Sequence, residues 1–139
     1  MNIKLSKDLK KCITTPIVLA EILQILLCQR DETDLMKEIF YVIGLDIRNN
    51  IQYIEIVSIG TLTASLVHPR ETFRIAIMKN TAQIIIAHNH PSGEVDPSED
   101  DLKITKRLVD AGKLIGIEVL DHLIFTQLNY LSFKEKHLL

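Results

Sequence analysis

This sequence has little cysteine, no excess of either charge and no long apolar run. Its two cysteines, Cys12 and Cys28, cannot build a disulfide framework and lack metal-type spacing with the histidines. They read as buried thiols of a reducing compartment. The formal net charge is −2, from 16 Lys and Arg against 18 Asp and Glu, with no run of like charges. That balance argues against broad affinity for a nucleic acid backbone. Binding to duplex DNA is therefore expected to be weak and to fade with added salt; tight, salt-resistant binding in a titration would contradict this. The most apolar early run, Pro16 to Cys28, is shorter than a membrane span and contains Glu21. The opening MNIKLSKDLKK lacks the apolar core of a secretory signal, so a cytoplasmic location is expected. Internal repeats and low-complexity segments are also absent. What is left is a chain of 139 residues, 47% hydrophobic and 24% charged, enough for one soluble domain with its own core.

The chemistry concentrates between Ile84 and Asp101, in IIIAHNHPSGEVDPSEDD. Ile84 to Ala87 is a short apolar run with no polar relief, the pattern of a strand buried on both faces. It breaks into His88, Asn89 and His90. Alternation along a strand sends His88 and His90 to one side and Asn89 to the other. Pro91, Ser92 and Gly93 force a turn, and Ser98 can cap a helix beginning near Pro97. On that helix Ile104, Leu108 and Ala111 form the inward stripe, and Asp101 lies on the same stripe. A carboxylate facing inward needs a cation or several donors. Two imidazoles and one carboxylate oxygen make three ligands and leave a fourth tetrahedral position open, the way catalytic zinc is held. The plainer reading of Ser98 with Asp101 is an ordinary capping box.

Around this stretch the chain alternates in an orderly way. Residues 1–34 read as a helical lead-in belonging to the same domain, with Thr15-Pro16 opening a helix through Leu27. Residues 1 to about 14 are a loose lead-in or short helix, and Gln29 to Asp34 is a polar break. Residues 35–139 form the main unit. EIFYVIGLD from Glu38 and IQYIEIVSIG from Ile51 predict a hairpin of two strands. A third strand is predicted from Thr63 to Val67, then a helix from Pro69 holding Phe73, Ala76 and Ile77 and closing near Asn80. The site helix should end near Gly112 or Gly116, before a last strand from Ile117 to Phe125 and a polar tail. Hairpins followed by strand-helix alternation point to an α/β fold, a mixed sheet flanked by helices.

His88-x-His90, seven residues, Ser98, two residues and Asp101 resembles the JAMM motif of the JAB1/MPN metalloproteases. The longer string His-Asn-His-Pro-Ser-Gly followed by Pro97-Ser98 is similar to the RadC-like branch. The letters HNH do not make this an HNH nuclease, whose residues are spread over a hairpin and helix. The resemblance covers about Glu38 to Leu139 and implies a three-layer, cytidine deaminase-like α/β fold. It implies Zn2+ held by His88, His90 and Asp101, and hydrolysis of a peptide or isopeptide bond in a peptide or protein substrate. It also implies a glutamate at the first strand as general base, a place Glu38 occupies, and a hydrogen bond from Ser98 to the substrate carbonyl. Glu71 in VHPRE is the alternative base, although the first turn of a helix already gives its charge a role. Asp121 and His122, adjacent in an apolar strand, can together form a link that supports a metal ligand from behind, or His122 can be a satisfied, partly buried residue. His68 reads as a loop residue, His137 as solvated, and Arg70 as a surface cation or an anchor for a substrate carboxylate.

Two departures and two rival readings accompany the resemblance. RadC-like proteins usually carry an N-terminal helix-hairpin-helix region, which does not fit within the first 35 residues, and His137 stands where Gly is often found. The family's DNA-repair label supports a second reading, a binding module with a structural or vestigial metal site. A zinc deaminase would need a pair of cysteine ligands, and both cysteines lie in the first helix region.

Overall fold

The computed structural model describes residues 2–4, 12–63 and 67–139. Its elements are β1 (Asn2–Ile3), α1 (Pro16–Cys28), α2 (Glu32–Leu35), β2 (Glu38–Leu45) and β3 (Ile51–Gly60), then α3 (Pro69–Thr72) and α4 (Arg74–Met78). After these come β4 (Gln83–Asn89), α5 (Glu99–Ile115), β5 (Glu118–Phe125) and β6 (Tyr130–Ser132). The six strands form one mixed sheet in the order β1-β3-β2-β4-β5-β6. Among the described strands only β4 and β5 run parallel, joined by the long crossover through α5.

Alternation along the strands divides the core into two layers. Ile39, Tyr41, Ile43 and Leu45 of β2, with Ile85 and Ala87 of β4, pack against Leu19, Leu23 and Leu27 of α1. Phe40 and Val42, with Ile84 and Ile86, pack on the other side against Ile104 and Leu108 of α5 and Phe73. Leu19 and Leu23 are fully buried, and each such side chain contributes roughly 1.5–3 kcal/mol. β4 is therefore covered on both faces, as its unbroken apolar run predicts.

Several expectations change. Asn2–Ile3 pairs with β3 rather than forming a loose lead-in or helix, giving the long β3 a partner on its outer side. Asp31 accepts from the Asp34 N–H at 3.0 Å and so caps α2 inside the expected polar break. The helix from Pro69 divides into α3 and α4 at Phe73, whose ring is buried in the core. The tail supplies β6, which pairs antiparallel with β5 and buries Leu131 and Phe133. Cys12 and Cys28 are free thiols, but exposed rather than buried. The predicted strand from Thr63 to Val67 falls largely outside the described residues. No helix among the described residues is long and apolar enough to cross a membrane.

Candidate metal centre

Four elements build the site on the α5 face of the sheet. His88 is fully buried near the end of β4, opposite Phe40 of β2. His90 stands just beyond it, its backbone N–H bonded to the Phe125 carbonyl at 3.0 Å. Asp101 comes from the first turn of α5 and is buried. The capping box is real: Ser98 Oγ accepts from the Asp101 N–H at 3.1 Å, and the Ser98 N–H donates to Asp101 Oδ2 at 2.9 Å. The capping box does not use up the carboxylate, since its oxygens have several lone pairs.

The three side chains converge. His88 Nε2 and His90 Nε2 are 3.0 Å apart. Asp101 Oδ1 lies 3.2 Å from His88 Nε2, and Oδ2 lies 3.1 Å from His90 Nε2. Among the described residues this is the group placed to hold a metal ion. Ligand atoms at ~2.0–2.1 Å around a tetrahedral zinc stand roughly 3.3 Å from one another, so the triangle needs only a few tenths of an ångström of expansion. The donor set agrees. His90 Nδ1 lies 2.8 Å from the Glu94 carbonyl, which can only accept, so that nitrogen carries the proton and Nε2 is left as a lone pair. Lone pairs and a carboxylate converging on one point call for a cation.

The electrostatics carry the same sign. Burial pushes the Asp101 carboxyl up, but the His88 and His90 rings and the Ser98 N–H beside it outweigh that and hold the group well below the usual carboxylate range. Burial opposes charge on His90, but Asp101, the Glu94 carbonyl and the charge of Glu38 together raise its pKa. His122 is fully buried, and burial with the neighbouring His88 holds it neutral.

Glu38 opens β2 on the same face as Phe40. The antiparallel register that sets Phe40 opposite His88 carries Glu38 towards His90. Its Oε2 accepts from the Leu62 N–H at 3.0 Å, and Oε1 accepts no hydrogen bond among the described residues. The carboxylate borders an open groove lined also by Met36, Gly60, Leu62 and Pro91. Asn89, facing the opposite way from the histidines, grips the chain on both sides of Glu38. Its Oδ1 accepts from the Ile39 N–H at 2.7 Å, and its Nδ2 donates to the Lys37 carbonyl at 2.9 Å. Glu71 is exposed in the first turn of α3 and makes no side-chain hydrogen bond or ion pair with the His-Asp cluster. His68 caps α3 through its carbonyl, which accepts from the Glu71 and Thr72 N–H groups.

His122 and Asp121 part company. His122 Nε2 lies 2.8 Å from His88 Nδ1, on the side of the ring away from the nitrogen that faces His90 and Asp101. Asp121 points to the α1 face, where the Ser132 hydroxyl and the Lys134 N–H bond it at 2.5 and 3.0 Å. Burial raises its pKa against those bonds. Asp121 therefore ties β5 to the turn after β6 and does not reach the cluster. Thr105, one helical turn after Asp101, was not singled out by the sequence; its hydroxyl joins the group through His122 Nδ1.

The comparisons with known proteins agree on one family. Residues 13–138 match the model of the RadC-like JAB domain. A UPF0758 protein of Symbiobacterium thermophilum is 57% identical over 102 residues, which are 73% of this chain and 44% of that protein. Another from Alkaliphilus metalliredigens is 52% identical over 105 residues, 76% of this chain and 45% of its own length. A third, from Methanosarcina barkeri, is 49% identical over 100 residues, 72% of this chain and 44% of its own length. The chain thus spans less than half the length of these relatives, whose names state no activity.

Proposed function

The chain belongs to the RadC-like JAB domain family, and from that premise we propose that it is a zinc-dependent hydrolase of the JAMM type, cleaving a peptide or isopeptide bond. The fold proposed with it is the three-layer, cytidine deaminase-like arrangement. The observation that carries the reading is the triangle of His88 Nε2, His90 Nε2 and Asp101, two of them buried and His90 half-buried, with the charge of Glu38 near enough to act on His90.

His88, His90 and Asp101 would hold the ion, which when bound supplies a Lewis acid able to acidify water and polarise a carbonyl. Glu38 accepts the proton released by the attacking water at its free oxygen. It then delivers that proton to the leaving nitrogen, a role worth ~10²–10⁴-fold in rate. Asn89 and the Leu62 N–H keep this carboxylate in place while one oxygen remains available. Ser98 Oγ already accepts the Asp101 N–H, so its own hydrogen is left to donate to the substrate carbonyl oxygen. One such donor can lower the barrier by about 3 kcal/mol. The groove beside Glu38 and Pro91 gives an extended substrate chain a path to these groups.

Elemental analysis of purified protein is expected to find about one zinc per chain, and Asp101→Ala to lose it. Unchanged zinc in that variant would remove Asp101 from the ligand set and end this reading of the triangle. Ser98 can still cap α5 in the variant, so loss of the fold is not the expected outcome.

A further inference from the structure

We propose that Thr105 and His122 are positioning residues that fix the ring proton of His88 on Nδ1 and so keep its Nε2 lone pair turned toward the metal. This rests on the metallohydrolase reading of His88 as a ligand and extends it inward.

The backbone carbonyl of Asp101 can only accept. The Thr105 hydroxyl, 2.7 Å away, directs its one hydrogen there. Thr105 Oγ1 then offers only lone pairs to His122 Nδ1, which lies 2.5 Å away. That nitrogen must carry the hydrogen. A neutral imidazole has one ring proton, so His122 Nε2 is an acceptor, and it faces His88 Nδ1 at 2.8 Å. His88 therefore carries its proton on Nδ1, and Nε2 is bare toward His90 and Asp101. With His122 in the opposite tautomer, two N–H groups would confront each other or the His88 proton would move to Nε2 and block the ion. The ring of His122 cannot turn to escape this. Phe133 stacks on it at 4.5 Å and 24°, and Phe40 meets it edge-on at 6.4 Å and 82°. The chain of bonds starts at the Asp101 carbonyl and ends at His88, whose bare Nε2 faces the Asp101 carboxylate at 3.2 Å, so α5 carries both a ligand and the group that sets the tautomer of its neighbour.

Supporting groups of this kind typically change metal affinity by ~10–100-fold. Zinc affinity by chelator competition is expected to fall by about that factor in Thr105→Val, which keeps the shape but loses the hydroxyl. Thr105→Ser, which keeps the hydroxyl, should stay close to wild type. Long-range 1H–15N spectra of the wild-type protein should show His122 neutral with the proton on Nδ1, with or without zinc. Wild-type affinity in Thr105→Val, equal loss in both variants, or an Nε2-protonated His122 would each overturn the proposal. If Thr105→Val does not fold, the wild-type spectrum alone decides. Failure of the wild type to bind zinc at all would instead refute the metallohydrolase reading, and the His122 tautomer would still be readable.

Discussion

Glu38→Gln is expected to keep its zinc and its fold while losing roughly 10²–10⁴-fold in turnover. Glutamine matches glutamate in size, and its amide oxygen can still accept the Leu62 N–H that Glu38 now takes at 3.0 Å. What it cannot do is accept the proton of the attacking water. Glu71→Gln beside it should leave turnover near wild type, because Glu71 is exposed on α3 and bonds to nothing in the cluster. His88→Ala should behave differently from both, losing zinc affinity together with turnover. The decisive comparison is hydrolysis of a peptide-library substrate alongside bound zinc for all three variants. Full activity in Glu38→Gln with collapse in Glu71→Gln would assign the base to Glu71 and contradict the role given to Glu38.

Gly112→Ala is expected to destabilise the protein, against the sign that helix propensity alone would give. Alanine inside a helix is favoured over glycine by about 1 kcal/mol. Here a Cβ would stand 2.4 Å from the Ile117 carbonyl oxygen and 3.3 Å from the Phe73 ring. The first of these is backbone, which cannot rotate away, so α5 must lift off the sheet. The net cost is put at about 1–3 kcal/mol, a fall in Tm of roughly 3–10 °C in a thermal melt. Gly112 is buried on the same face of α5 as Asp101, Thr105 and Leu108. A displaced helix would move Asp101 and Thr105 together, so under the proposed function the variant should also hold zinc less tightly. A Tm at or above wild type would show that the helix is free to yield. Gly116 serves differently: with φ of 78° it ends α5 in the left-handed region, where its N–H reaches the Gly112 carbonyl.

The strand-helix unit around the site was legible because short-range rules govern it. Three isoleucines and an alanine announce β4, and Ser98 followed by Asp101 announces the start of α5, as found. The strand hairpin was legible for the same reason. The N-terminal pair with β3, the turn at Asp31 and the strand β6 were not. Each depends on a partner distant in sequence, and two or three residues carry no periodicity. The same limit applies inside the site. The His pair could be read from alternation, but which neighbours support it depends on the register of β5 against β4. There a shift between Ile84 and Ile85 sets His122 beside Ile86, on the face of His88, and Asp121 beside Ile85, on the opposite one. Adjacent residues on a strand point apart, a rule that counsels against reading Asp121-His122 as one unit at the metal. Thr105 carried a usable signal, since it is a polar residue one turn from Asp101 on a buried stripe. Asn89 carried a weaker one, and its grip on Lys37 and Ile39 emerges only once β2 and β4 are paired.

The most direct test is an anomalous difference map at the zinc edge, from crystals of the zinc-loaded protein. A single strong peak about 2 Å from His88 Nε2, His90 Nε2 and an Asp101 carboxylate oxygen is the expected result, with Glu38 beside it but not bound to it. A peak on Cys12, Cys28 or surface groups, with the triangle empty, would contradict the assignment of the metal centre.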